Sequence, residues 1–335
     1  MEESSPEVES HVLVLLGRGD LSTRLEEAAS SVTHLGMRRR DVIPVPAIRK
    51  LLYLVRQHEI DIVHSHLQQS DVVNVLTPHG RPRISTLHSS MNLSSNTVSR
   101  IVWKIAAMLS GRFNEVVACS PSALDYAREA GYRFDPANMR VIFNGSRVTC
   151  STPAPTNSRT LLHLARFTPS KDHTTLLQAL AIVARRIPEV RLRCAGNGVD
   201  QENEFLATML NDLDIRRNVD LLGPINTVRA EIRQATAVVL SSYNEALPMA
   251  GIESLTEGTP VVTTDVGDAR ELIVDPRALV PARDARALAD AMEWVLTCPP
   301  EEKARLRHGC RQLALQKFDV KKCTEQYIRL YQGLV

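Results

Sequence analysis

The sequence lacks the features that mark membrane-spanning, nucleic-acid-binding and zinc proteins. Its 335 residues contain no apolar run long enough to span a bilayer, and the first ten are polar and acidic, unlike a signal peptide. The formal net charge is only +2, which does not favour nucleic acid as a partner. The six cysteines are scattered and none forms a C-x-x-C pair, so we expect no metal site. These absences predict a cytoplasmic protein with reduced cysteines.

What is present is an alternation of apolar strands and helical segments along the whole chain. That pattern predicts α/β architecture, with parallel sheets covered by helices on both faces. We expect two Rossmann-like doubly wound domains whose strand carboxyl ends face a cleft, and a last helix that crosses back to the N-terminal domain. The predicted division is a disordered tail at 1–10, an N-terminal acceptor domain at 11–147, a linker at 148–158, a C-terminal donor domain at 159–318 and a helix at 319–335.

One stretch combines a strand, a turn and a helix start that suit phosphate binding. The apolar run at 237–240 predicts a buried strand. Pro248 suits the first turn of the following helix, because its missing N–H would have no partner there anyway. The free N–H groups near Met249 and Ala250 would then form an anion site at the helix N-terminus.

Two glutamates eight residues apart flank this turn. Glu245 lies in the loop before the predicted helix, and Glu253 lies inside the helix. With the strand before them, they resemble the E-x7-E motif of the retaining GT-B-fold glycosyltransferases of family four, also called glycosyl transferases group 1. The resemblance implies that Glu245 meets hydroxyls of a donor sugar and that Glu253 accepts hydrogen bonds from a ribose. It also places Leu247 in the donor site.

Two cations follow the first strand of the second predicted domain. Arg166 and Lys171 resemble the R-x4-K motif of the same family, whose cations hold the donor diphosphate. Such a leaving group gains negative charge as the glycosidic bond breaks, and fixed cations stabilise that charge. The alternative is an ordinary basic surface loop.

Glycine-rich turns follow the next strands. Gly196 and Gly198 resemble the family's G-x-G turn, which borders the nucleotide, and Gly223 with Pro224 is expected to wall the base. The loop 267–271 resembles the family's G-G-x-x-E segment, except that an aspartate replaces the second glycine.

Histidines mark the first domain. The segments 61–66 and 85–88 resemble the family's D-V-V-H-x-H segment and the segment that carries an active-site histidine. His88 is accordingly a catalytic candidate that binds the sugar or assists the acceptor, and His66 is a second candidate. The alternative for both is a packed, hydrogen-bonded histidine.

The resemblance implies a retaining, metal-independent glycosyltransferase, specifically a hexosyltransferase. It needs no cofactor and moves a sugar from a UDP- or GDP-sugar to a hydroxyl acceptor, such as a lipid-linked or polysaccharide precursor. The rivals are a sugar-nucleotide epimerase of similar shape and a degenerate protein that binds nucleotide-sugar without turnover. Family members usually open with a strand, a glycine-rich loop and a helix before the segment that 11–36 resembles. That unit has no counterpart here, so the expected enzyme is incomplete, inactive or aided by another chain.

The first predicted domain is basic. Between residues 30 and 112, eleven Lys and Arg residues stand against four acidic ones. In the helix predicted at 99–109, one face is expected to carry Ile101, Val102, Ile105, Met108 and Leu109, with Trp103 and Lys104 off it. We expect this surface to contact the inner face of a membrane or a phosphate-bearing lipid acceptor. A solvated basic face and a core-packing helix are the alternative.

Overall fold

The computed structural model describes residues 8–19, 21–38, 45–88, 97–149 and 159–335, except the side chains of 97–99. The chain forms two compact units. Unit 1 comprises Met1–Phe143 and Val320–Val335, and unit 2 comprises Asn144–Asp319. Most of the predicted tail, most of the predicted linker and the first three residues of the weak strand expected at 42–45 lie outside the described residues.

Unit 1 contains two parallel sheets. Strands β3, β4, β5 and β6 form one sheet in that order, and β1 pairs with β2 in another. Its strands are β1 (His11–Val14), β2 (Ser31–His34), β3 (Val63–His66), β4 (Arg83–Leu87), β5 (Glu115–Ala118) and β6 (Met139–Val141). The helices between them are α1 (Ser22–Ala28), α2 (Val45–Gln57), α3 (Gln68–Leu76), α4 (Thr97–Leu109) and α5 (Pro121–Glu129).

A buried carboxyl group joins the first two strands of the larger sheet. Ser65 and Ser85 are register partners on β3 and β4. The Ser65 hydroxyl donates to Oδ1 of Asp71 on α3 at 2.6 Å, and that of Ser85 donates to Oδ2 at 2.9 Å. Burial raises the pKa of Asp71 to about 7, although the two serine hydrogen bonds oppose the shift.

Replacing Asp71 with asparagine is expected to change how stability depends on pH. The folded state keeps this carboxyl protonated up to about pH 7, whereas the unfolded chain releases the proton near pH 4. Between those values the folded state binds more protons, so the stability contributed by Asp71 falls as pH rises. The asparagine of Asp71→Asn cannot ionise, so the variant does not show this loss of stability as pH rises.

Urea unfolding of both proteins between pH 5 and pH 8 measures this difference. The unfolding free energy of the wild type minus that of Asp71→Asn should decrease towards pH 7 by up to about 1.4 kcal/mol per pH unit. Titrating groups that both proteins share cancel in the difference. Parallel pH profiles would show that Asp71 is ionised throughout.

Unit 2 is a six-stranded parallel sheet with helices between its strands. The strands are β7 (Thr160–Leu164), β8 (Arg191–Ala195), β9 (Val219–Leu221), β10 (Ala237–Leu240), β11 (Val261–Thr264) and β12 (Leu279–Val280). The helices are α6 (His173–Arg186), α7 (Glu204–Asp212), α8 (Val228–Gln234), α9 (Met249–Thr256), α10 (Ala285–Thr297) and α11 (Pro300–Leu313). Both sheets of unit 1 and this sheet are wholly parallel, which confirms the α/β prediction.

The strand order of unit 2 is β12-β11-β10-β7-β8-β9. The chain therefore moves outward from β7 in one direction through β9, then returns to the other side of β7 to form β10. The reversal leaves a crevice at the carboxyl ends of β7 and β10, which is where doubly wound sheets bind ligands. The loops after these two strands are the ones that carry the predicted basic pair and Glu245.

The last helix, α12 (Val320–Gln332), belongs to unit 1. Its Leu330 packs with Ile84, Val117 and Ile142 in the core of that unit, as the prediction of a returning helix requires. The two ends of unit 2 lie side by side. The N–H of Ser146 donates to the carbonyl of Phe318 at 2.9 Å, and Ser146 forms a parallel bridge with Asp319.

Candidate functional site

The loops after β7 and β10 are held together at the crevice of unit 2. The N–H of Tyr243 donates to the carbonyl of Ser170 at 3.0 Å, and the Ser241 hydroxyl donates to the carbonyl of Lys171 at 2.8 Å. These bonds fix the separation of the two loops independently of the charged side chains they carry. Both loops are therefore rigidly placed before any ligand arrives.

Lys171 and Glu245, both predicted site residues, form an ion pair across this crevice. The Ser242 hydroxyl donates to the same carboxylate oxygen of Glu245 at 2.9 Å. Only 22% of the Lys171 side chain and 16% of the Glu245 side chain are exposed, so water screens the pair weakly. An ammonium group has three N–H donors, which leaves Lys171 able to bind an anion while it holds Glu245.

Arg166 is exposed at the start of the same loop. Among the described residues it has no ion-pair or hydrogen-bond partner, in contrast to most arginines of unit 2. A guanidinium without a protein partner near a paired ammonium concentrates positive charge at the loop 166–171. That arrangement favours a ligand with more than one negative oxygen.

The glycine turn after β8 packs directly against the basic loop. The N–H of Phe167 donates to the carbonyl of Asn197 at 2.8 Å, and the N–H of Gly196 donates to the carbonyl of Gly223 at 2.9 Å. A Cβ atom on Gly196 would lie 2.1 Å from the carbonyl oxygen of Ala165. Only glycine lets the loops after β7, β8 and β9 approach this closely. Gly198 stands at the open side of the same turn, and Pro224 is exposed beyond Gly223.

Helix α9 begins one residue later than the sequence predicted. Pro248 is the N-cap and not a residue of the first turn, and no side chain caps the helix. The first helical N–H group with a backbone partner is that of Gly251, which donates to the carbonyl of Pro248 at 3.0 Å. Among the described residues, the N–H groups of Met249 and Ala250 have no partner. These two N–H groups remain available to an anion.

Two further predicted donor-site residues lie around this helix. Leu247 is buried beneath the loop, so it shapes the loop and offers little surface to a ligand. Glu253 is half-buried on α9.

The loop after β11 supports the backbone of Glu245. The N–H of Asp268 donates to the carbonyl of Ala246 at 2.8 Å. A Cβ atom on Gly267 would lie 2.1 Å from the carbonyl oxygen of Glu245 and 2.7 Å from that of Ala246. Gly267 also has a positive φ of 53°. The structural role of this loop is to hold the Glu245 turn.

The predicted histidines of unit 1 meet at the carboxyl ends of β3 and β4. Nδ1 of His66 lies 2.9 Å from Nε2 of His88. His64 lies beside them, with its ring 4.3 Å from that of His66. His66 and His88 are thus hydrogen-bonded to each other, which their separation in sequence gave no means to predict.

Helix α4 exposes part of the apolar face predicted for it. Ile101 and Met108 are exposed by 43% and 71%, and Lys104 is exposed as well. Part of the predicted apolar face therefore contacts solvent. Trp103 instead packs edge-on against Tyr126 and Tyr132.

Two negative findings concern the described part of the chain. Its helices include none whose length and apolar content would suffice to cross a bilayer. Within the same residues, no three His, Cys, Asp or Glu side chains gather as a metal site would require. One contributor to the site was not singled out from the sequence, namely Ser242. A hydroxyl two residues after the predicted strand at 237–240 was the available signal.

Two family models match adjoining parts of the chain. The model described as Glycosyltransferase Family 4 matches residues 7–148, and the model described as Glycosyl transferases group 1 matches residues 150–312. A glycogen synthase of Mycobacterium tuberculosis is 27% identical over 276 residues, which are 77% of this chain and 65% of that protein. The chain thus spans less than two thirds of the length of this relative. A D-inositol 3-phosphate glycosyltransferase of Frankia alni is 29% identical over 74% of this chain and 68% of its own.

Solved structures share the fold over nearly the whole chain. Anabaena HepE, crystallised with UDP, superposes with a TM-score of 0.82 at 20% identity, covering 98% of this chain and 100% of its own. A sucrose-phosphate synthase from Thermosynechococcus elongatus superposes with a TM-score of 0.76 at 19% identity, covering 97% and 98% of the two chains.

Proposed function

Because the chain belongs to the family 4 glycosyltransferases of the GT-B fold, we propose that it moves a sugar from a nucleotide-sugar donor to a hydroxyl acceptor. We further propose that transfer retains the anomeric configuration and needs no metal. The observation that carries the proposal is the Lys171–Glu245 ion pair at the crevice of unit 2, beside exposed Arg166.

This geometry supports a division of roles within unit 2. Lys171, Arg166 and the N–H groups of Met249 and Ala250 bind the two phosphates, since all of them offer donors or positive charge. As the bond between the sugar and the diphosphate breaks, the leaving oxygen gains charge and the same groups stabilise it. Glu245, held by Lys171 and Ser242, accepts hydrogen bonds from sugar hydroxyls. The leaving phosphate takes the proton of the acceptor hydroxyl.

The turns that end β8 and β9 are assigned to the nucleoside. Gly196 and Gly198 lie beside the nucleoside, and Gly223 and Pro224 contact its base. UDP is the first nucleotide to test, because HepE was crystallised with UDP, UDP-glucose, and UDP with glucose. GDP is the second. In unit 1, His88 is assigned to a sugar hydroxyl.

A donor screen tests the proposal directly. Melting curves with UDP-, GDP- and ADP-sugars should show a rise in melting temperature for one base, because a ligand that binds only the folded state stabilises it. The donor that stabilises the protein is then incubated with it, with EDTA or added magnesium, and free nucleotide is measured. Stabilisation without release of nucleotide, even with acceptors present, would contradict an enzyme and support a binding protein.

Glu253→Ala is expected to weaken binding of the nucleoside diphosphate by about 1.5–3 kcal/mol, because a half-buried carboxylate on α9 loses its charged hydrogen bonds to the ribose. Calorimetric titration with UDP measures the change. Glu204→Ala is the matched control, since Glu204 is an exposed glutamate at the start of another helix of unit 2. Equal affinity in the two variants would remove Glu253 from the donor site.

We also propose that α4 contacts an anionic membrane surface that holds the acceptor. The exposed residues Arg100, Ile101, Lys104 and Met108 combine basic and apolar side chains on this helix. Each basic residue near such a surface contributes about 1 kcal/mol. We therefore expect the protein to sediment with anionic vesicles at low salt.

Co-sedimentation with phosphatidylserine vesicles measures this binding. The double variant Arg100→Glu, Lys104→Glu should stay in solution, whereas the exposed control Arg185→Glu in unit 2 should sediment as the wild type does. A wild type that does not sediment favours a soluble acceptor.

A further inference from the structure

The two histidines at the carboxyl ends of β3 and β4 share one hydrogen bond. His66 pairs in register with Thr86, so His88 lies one side-chain repeat further along the same face. The 2.9 Å between Nδ1 of His66 and Nε2 of His88 requires one ring to donate and the other to accept. Their rings are also stacked, 5.2 Å apart at 25°. The contact therefore fixes the orientation of the His88 ring and leaves its other nitrogen, Nδ1, to face a ligand.

Both rings are neutral at pH 7. Burial, followed by the neighbouring His88, lowers the pKa of His66 to about 4. Burial also lowers the pKa of His88. Each neutral ring carries one proton, and one of the two protons lies in the shared bond. One outer nitrogen of the pair therefore carries a proton and the other is a bare acceptor.

His66 is supported from behind by a ring that cannot turn. Nδ1 of His64 lies 2.8 Å from the Tyr331 hydroxyl of α12, and its Nε2 lies 2.6 Å from the Thr86 hydroxyl. With both nitrogens held, the His64 ring forms a fixed surface 4.3 Å from the ring of His66. Ordered support of this kind is what holds a functional side chain in one geometry.

We propose that His66 is a positioning residue for the transfer reaction, which holds His88 through Nε2 so that Nδ1 of His88 meets a sugar hydroxyl. This inference rests on the proposed function. Among the described residues, Nδ1 of His88 has no hydrogen-bond partner. A hydroxyl can both donate and accept, and the histidine pair can either accept a hydrogen bond from it or donate one to it. When the hydroxyl accepts, His88 carries the proton on Nδ1 and His66 donates. When the hydroxyl donates, Nδ1 of His88 accepts, and the proton of His88 lies on Nε2, which donates to Nδ1 of His66.

Nitrogen-15 NMR of histidine-labelled protein without ligand tests the pair itself. Two-bond proton–nitrogen spectra show which imidazole nitrogen carries the proton. His66→Leu should change the nitrogen shifts of His88 and leave its tautomers in the ratio of a free imidazole. His66→Asn, which keeps an amide near the position of Nδ1, should restore the wild-type shifts. The matched control His308→Leu replaces an exposed histidine of unit 2 and should leave His88 unchanged.

Kinetics test the consequence for transfer. His66→Leu should lower kcat by about 10- to 100-fold with little change in the KM for donor, because a misplaced group costs rate more than binding. His66→Asn should recover most of that loss. The melting temperature of each variant shows whether the substitution at His66 leaves the fold intact.

The outcomes separate this inference from the proposed function. If His88→Ala lowers kcat but His66→Leu does not, the function holds and the positioning role is wrong. Unchanged His88 shifts in His66→Leu would overturn the hydrogen-bonded pair. If the wild type transfers no sugar, the proposed function fails, and with it the role of His66 in transfer, while the spectra still report on the pair.

Discussion

Lys171→Ala is expected to lower kcat by about 100- to 1000-fold, the loss typical when one fixed donor to a developing negative charge is removed. Lys171 lies in the crevice at the topological switch of unit 2, where its ammonium group pairs with Glu245. Its loss would remove a positive charge that stabilises the leaving diphosphate and would leave the Glu245 carboxylate held by Ser242 without its cation. Folding should be affected less than turnover, because the Ser242 hydroxyl still holds the Glu245 carboxylate.

Turnover at saturating donor and urea unfolding together measure these two effects. Lys303→Ala is the matched control, because Lys303 also makes a partly buried bond, to the carbonyl of Leu296, but lies on α11. Arg166→Ala should act in the same direction as Lys171→Ala without any loss of stability, since Arg166 is exposed. Wild-type turnover in Lys171→Ala would remove the loop 166–171 from the chemistry.

Gly267→Ala is expected to lower both stability and turnover, by at least about 2–3 kcal/mol in unfolding free energy. The added methyl group would overlap the backbone carbonyls of Glu245 and Ala246, at 2.1 and 2.7 Å, and a backbone atom cannot rotate away as a side chain can. The positive φ of Gly267 adds strain. To relieve the overlap, the turn must move and carry the Glu245 carboxylate away from Lys171.

Gly223→Ala separates the two causes. Gly223 has a similar positive φ of 64°, but its added Cβ would meet nothing closer than 3.7 Å. Gly223→Ala should therefore lower the unfolding free energy only through backbone strain, by about 1 kcal/mol. Urea unfolding compares the two variants, and donor hydrolysis follows for Gly267→Ala. Equal losses of stability would mean that the loop after β11 yields freely and does not hold the Glu245 turn.

The strands of unit 2 could be predicted from the sequence because each is a short apolar run between turn residues. The predicted strand at 237–240 matches β10 residue for residue. Two elements of unit 1 escaped the same reasoning. The strand β2 (Ser31–His34) is too short and polar to stand out, and α3 (Gln68–Leu76) begins with polar residues.

The candidate site could be predicted only as a set of residues. The motifs selected Lys171, Glu245, Arg166 and His88, but motif spacing carries no information on which side chains touch. The pairing of Lys171 with Glu245 depends on β7 and β10 being neighbours in the sheet, although two strands, β8 and β9, lie between them in sequence. The bond between His66 and His88 likewise depends on the register of β3 and β4.

The bridge between Ser146 and Asp319 makes unit 2 an insertion in the topological sense. The chain enters this unit and leaves it at points joined by one hydrogen bond of 2.9 Å, between Ser146 and Phe318. Its two ends are therefore close enough to be joined by a few residues, the condition under which circular permutation is tolerated. Residues 144–319 could then be cut at a surface loop far from the crevice and still be encoded as one continuous gene segment.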